Sequence, residues 1–367
     1  MATPLEQGLD PVLAFALVGA LGVGSQWLAW RLRLPAIVLM LVAGLAVGPG
    51  LGLLDPGAQF GSMLKPMIAI AVAIILFEGG LTLNFHALSD AARGVRRLVV
   101  LGAPLGWIAS TAALYFVAGL SLEASAVFGG IMIVTGPTVI APLLRQAKLQ
   151  KRPAALLQWE AIVNDPVGAL AAVLAFEVVL VLNTATSMAQ AAQALALGIV
   201  VATILGVASG WGVARAFRNA YVPEYMKVPV LFVVLLGVFA VSDLVLHESG
   251  LLTVTIMGIW IANAGLPSYV ELRRFKEHAT VLLVSGVFIL LAANMSLATL
   301  TSLDWRALAF VLAVVLVARP LAVHLSLAFS DVPWAERWLV ALTGPRGVVL
   351  VAVAGLFGER LVEVGVA

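Results

Sequence analysis

Residues 159–166 read Trp-Glu-Ala-Ile-Val-Asn-Asp-Pro and lie inside an apolar run that extends from about Ala154 to Leu182. At 1.5 Å per residue, Asp165 lies roughly 16 Å along a helix that starts at Ala154, near the midplane of a hydrocarbon layer about 30 Å thick. An ionisable residue at that depth costs several kcal/mol if unpaired, so it predicts a functional site. Two carboxylates, Glu160 and Asp165, with an amide between them indicate a site that binds something positive.

The composition is that of a polytopic membrane protein. The 367 residues are 62% hydrophobic and 11% charged, whereas soluble domains carry about 25% charged residues. Cysteine is absent, which excludes disulfides, thiolate metal sites and cysteine nucleophiles. The net charge is only +2, and no basic domain indicates nucleic-acid binding. Phosphate-loop, zinc-protease and nucleophile-elbow motifs are missing as well, so we expect neither an enzyme nor a resident cofactor.

Twelve apolar segments predict an all-α fold of membrane-spanning helices. Sixteen of the 21 Lys and Arg residues fall in the loops after odd-numbered segments, and three fall after even-numbered ones. The positive-inside rule then places the odd loops in the cytoplasm and the N-terminus outside. The segments run near 11–30, 34–54, 64–83, 97–119, 124–144, 154–182, 188–214, 228–246, 251–266, 279–300, 307–329 and 338–357.

Segments 5 and 12 share a Thr-Gly-Pro motif near their middles, at residues 135–137 and 343–345. Proline removes a helical hydrogen bond and glycine adds conformational freedom, so both segments should be interrupted at mid-membrane. Such backbone is tolerated only where it is buried in protein or lines a cavity. Glycine and proline are also common in membrane helices, but interrupted segments in corresponding places are typical of transporters with inverted repeats.

The spacing of the two motifs is seven segments, which predicts that segments 1–6 are repeated, inverted, as segments 8–13. The first repeat would occupy residues 1–183, a linking helix 184–227, and the second repeat 228–367. Only twelve segments are present, so we expect the last helix to be missing from this chain. If segments 11 and 12 formed a hairpin of a different fold, this inference would fail.

Glu160 and Asn164 are four residues apart and share a helix face, with Asp165 about 100° further round. A carboxylate with an amide oxygen suits a hard monovalent cation, and the same carboxylate can hold a proton instead. A group that takes either one, never both, is the centre of an exchanger. The alternative for these residues is a polar clamp between helices, and for Asn164 a hydrogen bond to a neighbouring helix.

Three of the other charges inside apolar segments bear on the site. Arg319 and Arg346 need a carboxylate or the carbonyls of a broken helix. A Glu160–Arg319 pair would leave Asp165 free to titrate, and Arg346 could offset the negative end of the half-helix in its own segment. Direct contact of either arginine with an ion is the alternative. Glu78, beside Gly-Gly in segment 3, is either part of a cytoplasmic funnel for cations or a snorkelling or capping carboxylate.

These residues resemble the bacterial sodium/proton antiporters of the monovalent cation:proton antiporter superfamily, in particular the electroneutral Asn-Asp branch related to animal sodium/proton exchangers. The resemblance spans nearly the whole chain. It is carried by Glu160 with Asn164-Asp165, by Leu-Phe-Glu-Gly-Gly-Leu at 76–81, by Arg319, and by Gly-Pro-Arg-Gly at 344–347.

The resemblance implies thirteen helices in which broken segments 5 and 12 cross near the ion site. Segments 4–6 and 11–13 would move as an elevator-like core against a scaffold that forms a homodimer. Asp165 would bind Na⁺ (or K⁺ or Li⁺) and H⁺ in turn, beside Asn164 and Thr135, with Glu160 paired to Arg319. The crossover would comprise Gly136, Pro137, Thr343, Gly344, Pro345 and Arg346. Many relatives have an acidic residue where this chain has Gly136, a departure that bears on cation selectivity.

The resemblance also implies a bacterial inner-membrane protein whose partners are monovalent cations, the lipid bilayer and a second copy of the chain. A cytoplasmic nucleotide-binding regulatory domain would lie beyond Ala367, after the last helix. Two alternatives stay open: an inverted-repeat symporter for an organic solute, and a membrane anchor or sensor for a C-terminal domain. A membrane hydrolase is disfavoured because it needs two central aspartates and this chain has one.

Overall fold

The computed structural model describes residues 9–32, 34, 36–82, 93–135, 140, 144, 149–184, 188–245, 249–266, 282–296, 298, 301, 304–344, 346 and 348–366. Every regular element in these ranges is helical. The helices of the first half are α1 Pro11–Leu32, α2 Ala36–Leu45, α3 Pro56–Phe60, α4 Leu64–Thr82, α5 Arg93–Val100, α6 Gly102–Ala113, α7 Leu122–Ile131 and α8 Lys151–Thr184. Those of the second half are α9 Met188–Arg218, α10 Glu224–Val245, α11 Ser249–Asn263, α12 Leu282–Ala293, α13 Trp305–Ala313, α14 Arg319–Ser326, α15 Trp334–Leu342 and α16 Val348–Glu363.

The all-helical prediction is confirmed. Within the described residues, six helical stretches are long and apolar enough to cross a membrane, and shorter apolar helices accompany them. Each of the twelve predicted segments overlaps at least one of the helices. Three helices extend through a widened, π-helical turn, at Ala46–Gly50, Leu114–Ala118 and Val314–Ala318. The last of these leads directly into α14, so segment 11 is one long helix.

Helix α8 lies at the centre of the molecule. Its 34 residues make it about 51 Å long, and it contacts α4, α5, α7, α9, α11, α15 and α16. A helix with neighbours on several sides must be apolar around most of its circumference, which is why the run around residues 159–166 shows little amphipathic periodicity. Glu160 and Asn164 of that stretch are therefore held inside the protein.

Glycines let helix α11 approach its neighbours closely. A Cβ on Gly80 of α4 would lie 2.5 Å from the carbonyl oxygen of Thr255, and a Cβ on Gly258 would meet the carbonyl of Phe77. On the other side of α11, a Cβ on Gly206 of α9 would lie 2.7 Å from the carbonyl oxygen of Thr253. Small residues at such crossings allow backbone-to-backbone packing in membranes, and here they join α4, α11 and α9 into one layer.

Segments 5 and 12 are both interrupted, as their shared motif predicts. Helix α7 ends at Ile131, well before the predicted end of segment 5, and residues 132–135 are not helical. Helix α15 ends at Leu342, and the described residues between it and α16 are likewise non-helical. Gly136, Pro137 and Pro345 lie outside the described residues.

Candidate functional site

A buried ion pair joins α8 to α14. The guanidinium of Arg319 donates to both carboxylate oxygens of Glu160, at 2.5 and 2.8 Å. Glu160 is 3% exposed, so the pair is withdrawn from water, where a two-pronged guanidinium–carboxylate contact is strong and directional. Since both oxygens of Glu160 face Arg319, this carboxylate is committed to the arginine.

Arg319 also caps the half-helix α15. Its Nη2 donates to the carbonyl oxygens of Val340 and Thr343, both at 3.2 Å. The last carbonyls of a helix have no partner within the helix and carry partial negative charge, so a cation there is stabilising. A Cβ on Gly344 would lie 2.9 Å from Nε of Arg319, which explains why a residue without a side chain follows Thr343.

Arg346 performs the equivalent task for the other interrupted helix. Its Nη1 donates to the carbonyl oxygens of Met132 and Val134, which follow the end of α7. The sequence predicts Arg346 at the half-helix of its own segment, whereas in the structure Arg319 binds the carbonyls of that half-helix. Arg346 instead binds carbonyls that follow the end of α7, because the non-helical stretches of segments 5 and 12 are in contact.

The non-helical stretch after α7 rests directly on α8. A Cβ on Gly168 would lie 2.7 Å from the backbone nitrogen of Val134, so only glycine permits this approach. Thr135 is buried, and its hydroxyl donates to the backbone carbonyl of Glu160 at 3.4 Å. Thr135 is thereby held against α8 one turn before Asn164.

Asn164 lies one turn beyond Glu160, and its side chain is 3% exposed. In the described part of the chain, its amide oxygen Oδ1 has no hydrogen-bond partner. A buried acceptor without a partner costs about 1–3 kcal/mol, so Asn164 Oδ1 is a candidate ligand oxygen. Asp165 follows it in the helix, but its side chain lies outside the described residues.

A small cavity of about 20 Å³ opens at this place. That volume holds about one water-sized particle. Glu160, Asn164, Arg319 and Arg346 contribute the charged and amide groups of its wall, and the helices that line it are α5, α6, α8 and α14. Glu78 lies half-buried on α4 and is not part of this wall, so its role in a funnel stays a prediction.

The sequence predicts carbonyls of a broken helix as possible partners of the two arginines, but it does not identify which ones. The carbonyls of Met132, Val134 and Val340 are as much a part of it as the arginines that they bind. Gly168 was missed too, although a lone glycine inside a helical pattern is a known signal of close backbone approach. Two interrupted helices in contact, with buried charges at their ends, are typical of secondary membrane transporters.

The chain belongs to the family described as "Sodium/hydrogen exchanger, transmembrane", whose model matches residues 13–362. The protein is therefore a transmembrane antiporter of monovalent cations and protons, and the resemblance drawn from its motifs is confirmed.

Named relatives are similar over most of this chain. The Na(+)/H(+) antiporter 1 of Methanocaldococcus jannaschii is 25% identical over 97% of this chain and 85% of its own length. The K(+)/H(+) antiporter NhaP of Alkalimonas amylolytica is 26% identical over 94% of this chain and 59% of its own length. The structure of the sodium proton antiporter MjNhaP1 of M. jannaschii at pH 8 aligns with a TM-score of 0.83 at 24% identity, covering 96% of this chain and 89% of that one. That structure shows the same fold.

Proposed function

We propose that the protein exchanges Na⁺ for H⁺, one for one, with Asp165 binding the cation and the proton in turn. The observation that carries the proposal is the buried amide oxygen of Asn164, which has no partner among the described residues and lies at a cavity of one-particle size. Asn164 Oδ1, the carboxylate of Asp165 and Thr135 supply the oxygen ligands that a hard cation prefers. K⁺ and Li⁺ are alternative cations for the same ligands.

The one-for-one ratio follows from the charges in residues 159–166. Glu160 is held by Arg319 through both oxygens, which leaves Asp165 as the one acidic residue of the stretch that can trade a proton for a cation. One exchangeable carboxylate carries one positive charge in either state. The loaded site therefore has the same net charge with Na⁺ as with H⁺, and the cycle is electroneutral.

The size of the cavity favours an ion over an organic solute. Sites for small organic molecules occupy about 300–1,000 Å³, whereas this one has about 20 Å³. The choice of Na⁺ rests on the family description.

We further propose that segments 4–6 and 11–12 move as one body against the remaining helices, in an elevator-like step. Three arginine contacts support this grouping. Arg319 ties α14 to α8 and α15, and Arg346 ties the stretch before α16 to the end of α7. Arg97 of α5 donates to the carbonyl of Ser326 on α14 at 2.9 Å.

The remaining helices would form a homodimer scaffold in a bacterial inner membrane, with the N-terminus outside. A nucleotide-binding regulatory domain would follow the chain.

The test is recovery of a pH gradient in proteoliposomes on addition of Na⁺, K⁺ or Li⁺. Recovery is compared with and without a membrane potential that is imposed by means other than a potassium gradient. Asp165→Asn should abolish recovery and leave the protein folded. Asp304→Asn is the matched control, because Asp304 caps α13 on an exposed surface and asparagine caps helices equally well. Exchange retained in Asp165→Asn, or exchange driven by the potential, would contradict the proposal.

A further inference from the structure

A second and larger cavity lies between the ends of α9 and α11, and it shares no lining residue with the candidate ion site. Its volume is about 400 Å³, within the range of sites that bind small organic groups. The last turn of α9 supplies two arginines to its wall, and each helix supplies a tryptophan. The lining residues are Trp211, Ala214, Arg215, Arg218, Asn219, Trp260, Asn263 and Ala264.

The wall of this cavity is cationic and aromatic. Both arginines are exposed, and Trp211 and Trp260 are 54% and 40% exposed. The guanidinium of Arg215 stacks over the Trp211 ring, 5.6 Å from its centroid, and Arg218 donates to the carbonyl of Ala264. Among the described residues of the wall, no acidic side chain balances the two arginines.

Packing of the two helices fixes where the cavity opens. A Cβ on Gly210 would lie 3.0 Å from Cβ of Trp260 and 3.1 Å from the carbonyl oxygen of Met257. This close contact holds α9 against α11 just before the arginines, and the cavity lies beyond it. The loops after both helices are the basic ones that the positive-inside rule assigns to the cytoplasm.

The position and chemistry of the cavity point to a lipid headgroup. Tryptophan is enriched at membrane–water interfaces, and basic pockets between membrane helices on the cytoplasmic side bind anionic headgroups. A phosphate can accept two parallel hydrogen bonds from one arginine guanidinium. The exposed indoles offer apolar surface next to that phosphate. A free anion would leave this surface in contact with water, whereas the glycerol and first acyl carbons of a lipid would cover it.

We propose that this cavity binds the phosphate headgroup of an anionic glycerophospholipid. Arg215 and Arg218 hold the phosphate, and Trp211 and Trp260 pack against the glycerol backbone of the lipid. The occupant ties the end of α9, the helix that links the two predicted repeats, to α11. The proposal does not depend on which cation is exchanged, because binding can be measured without transport.

The experiment compares lipids that share acyl chains but differ in charge. Delipidated full-chain protein in neutral detergent is titrated with phosphatidylglycerol, phosphatidylcholine or inorganic phosphate, and bound lipid is counted by native mass spectrometry beside thermal unfolding. Phosphatidylglycerol should bind tightly at one site per chain and raise the unfolding temperature, with no such effect from the other two. Arg215→Gln/Arg218→Gln should weaken binding about 30-fold and Arg215→Gln alone about fivefold.

Arg31→Gln is the matched control. Arg31 also lies at the end of a helix, α1, and its guanidinium sits over the Trp27 ring at 5.9 Å, but it does not line this cavity. Its loss should leave lipid binding unchanged. If the double variant unfolds, Arg215→Gln decides, because Arg218 keeps its contact with Ala264 in that variant.

Three outcomes would overturn the proposal. Equal stabilisation by inorganic phosphate would assign the cavity to a soluble anion. Equal binding of phosphatidylcholine would show that the contact does not depend on lipid charge. Equal weakening by Arg31→Gln would show a general attraction of anionic lipid to the basic face, with no site between α9 and α11.

Discussion

Arg319 is the side chain through which the site is held together. It satisfies the carboxylate of Glu160 and the last carbonyls of α15 at once, so three helices depend on one guanidinium. A buried ion pair adds little net stability over apolar packing, but removing one partner leaves an uncompensated charge. The pair is therefore expected to be structural, with its importance visible only when it is broken on one side.

Breaking the pair should cost more stability than altering Asp165. Glu160→Gln and Arg319→Gln should each lower the free energy of unfolding by about 3–5 kcal/mol, and the double variant by less than the sum of the two. Thermal unfolding in detergent, compared with Asp165→Asn, measures this. Equal stability of Glu160→Gln, Arg319→Gln and Asp165→Asn would mean that the Glu160–Arg319 contact holds nothing in place.

In contrast to the Glu160–Arg319 pair, replacing Asn164 should reduce exchange without reducing stability. Asn164→Leu keeps the approximate size of the side chain and removes the unpartnered oxygen, so we expect stability to stay equal or to rise by about 1 kcal/mol. Exchange in proteoliposomes should fall at least tenfold, because a cation ligand is lost. Lower stability with normal exchange would instead identify the amide as a clamp between helices.

At the level of elements, the interrupted helices depend on glycine contacts as much as on arginine. The stretch after α7 carries Thr135 and is positioned by the approach of Val134 to Gly168. Gly168→Ala should push this stretch away from α8, lowering the unfolding free energy by about 1–3 kcal/mol and reducing exchange. Unfolding and transport are measured on the same preparation.

Gly237→Ala is the control for that substitution. Gly237 lies inside α10, and a Cβ there would meet nothing within 4 Å. Alanine is favoured over glycine in a helix by about 0.8–1.0 kcal/mol, so this variant should be as stable as the wild type or more so, with normal exchange. If both variants behaved alike, the contact between Gly168 and Val134 would have no special role.

The sequence predicts a large part of this architecture because membrane burial constrains composition strongly. Hydropathy alone locates the helices, and the two Thr-Gly-Pro motifs locate the interruptions. The partners of Arg346 could not be predicted, because the carbonyls of Met132 and Val134 become available only once α7 ends early and the two interruptions meet. Backbone groups leave no mark in a sequence, and α7 ends at Ile131, ahead of the Thr-Gly-Pro motif that predicts the interruption.

At the scale of the whole molecule, an exposed contact joins the two proposed bodies. Lys65 on α4 binds Glu363 on α16 at 2.6 Å and Glu359 at 3.5 Å. The hydrogen bond from Lys65 holds the pKa of Glu363 below its usual range. Because a lowered pKa keeps the carboxylate charged, the contact persists at neutral pH and is lost only as the pH falls through that lowered pKa. Exposed pairs of this kind are weak, so it can open during a transport cycle.

Fixing this contact should stop exchange if α16 moves against α4. The chain has no cysteine, so Lys65→Cys/Glu363→Cys can be joined by a short, cleavable bismaleimide. Exchange should be lost in proportion to crosslinking and return on cleavage. The control is Arg360→Cys/Glu363→Cys. These positions lie three residues apart on α16, so a crosslink between them does not connect α16 to α4. Full exchange in the fully crosslinked first pair would exclude relative motion of α4 and α16.

The commitment of Glu160 to Arg319 is the basis of the proposed one-for-one exchange, and that exchange limits the cation gradient that the protein can build. Under the proposal, each proton entering is matched by one cation leaving, and membrane voltage drops out of the equilibrium. The cation ratio across the membrane can then equal but never exceed the proton ratio. A pH difference of one unit corresponds to about 1.4 kcal/mol, and it therefore sustains a cation gradient of about tenfold, however large the electrical potential becomes.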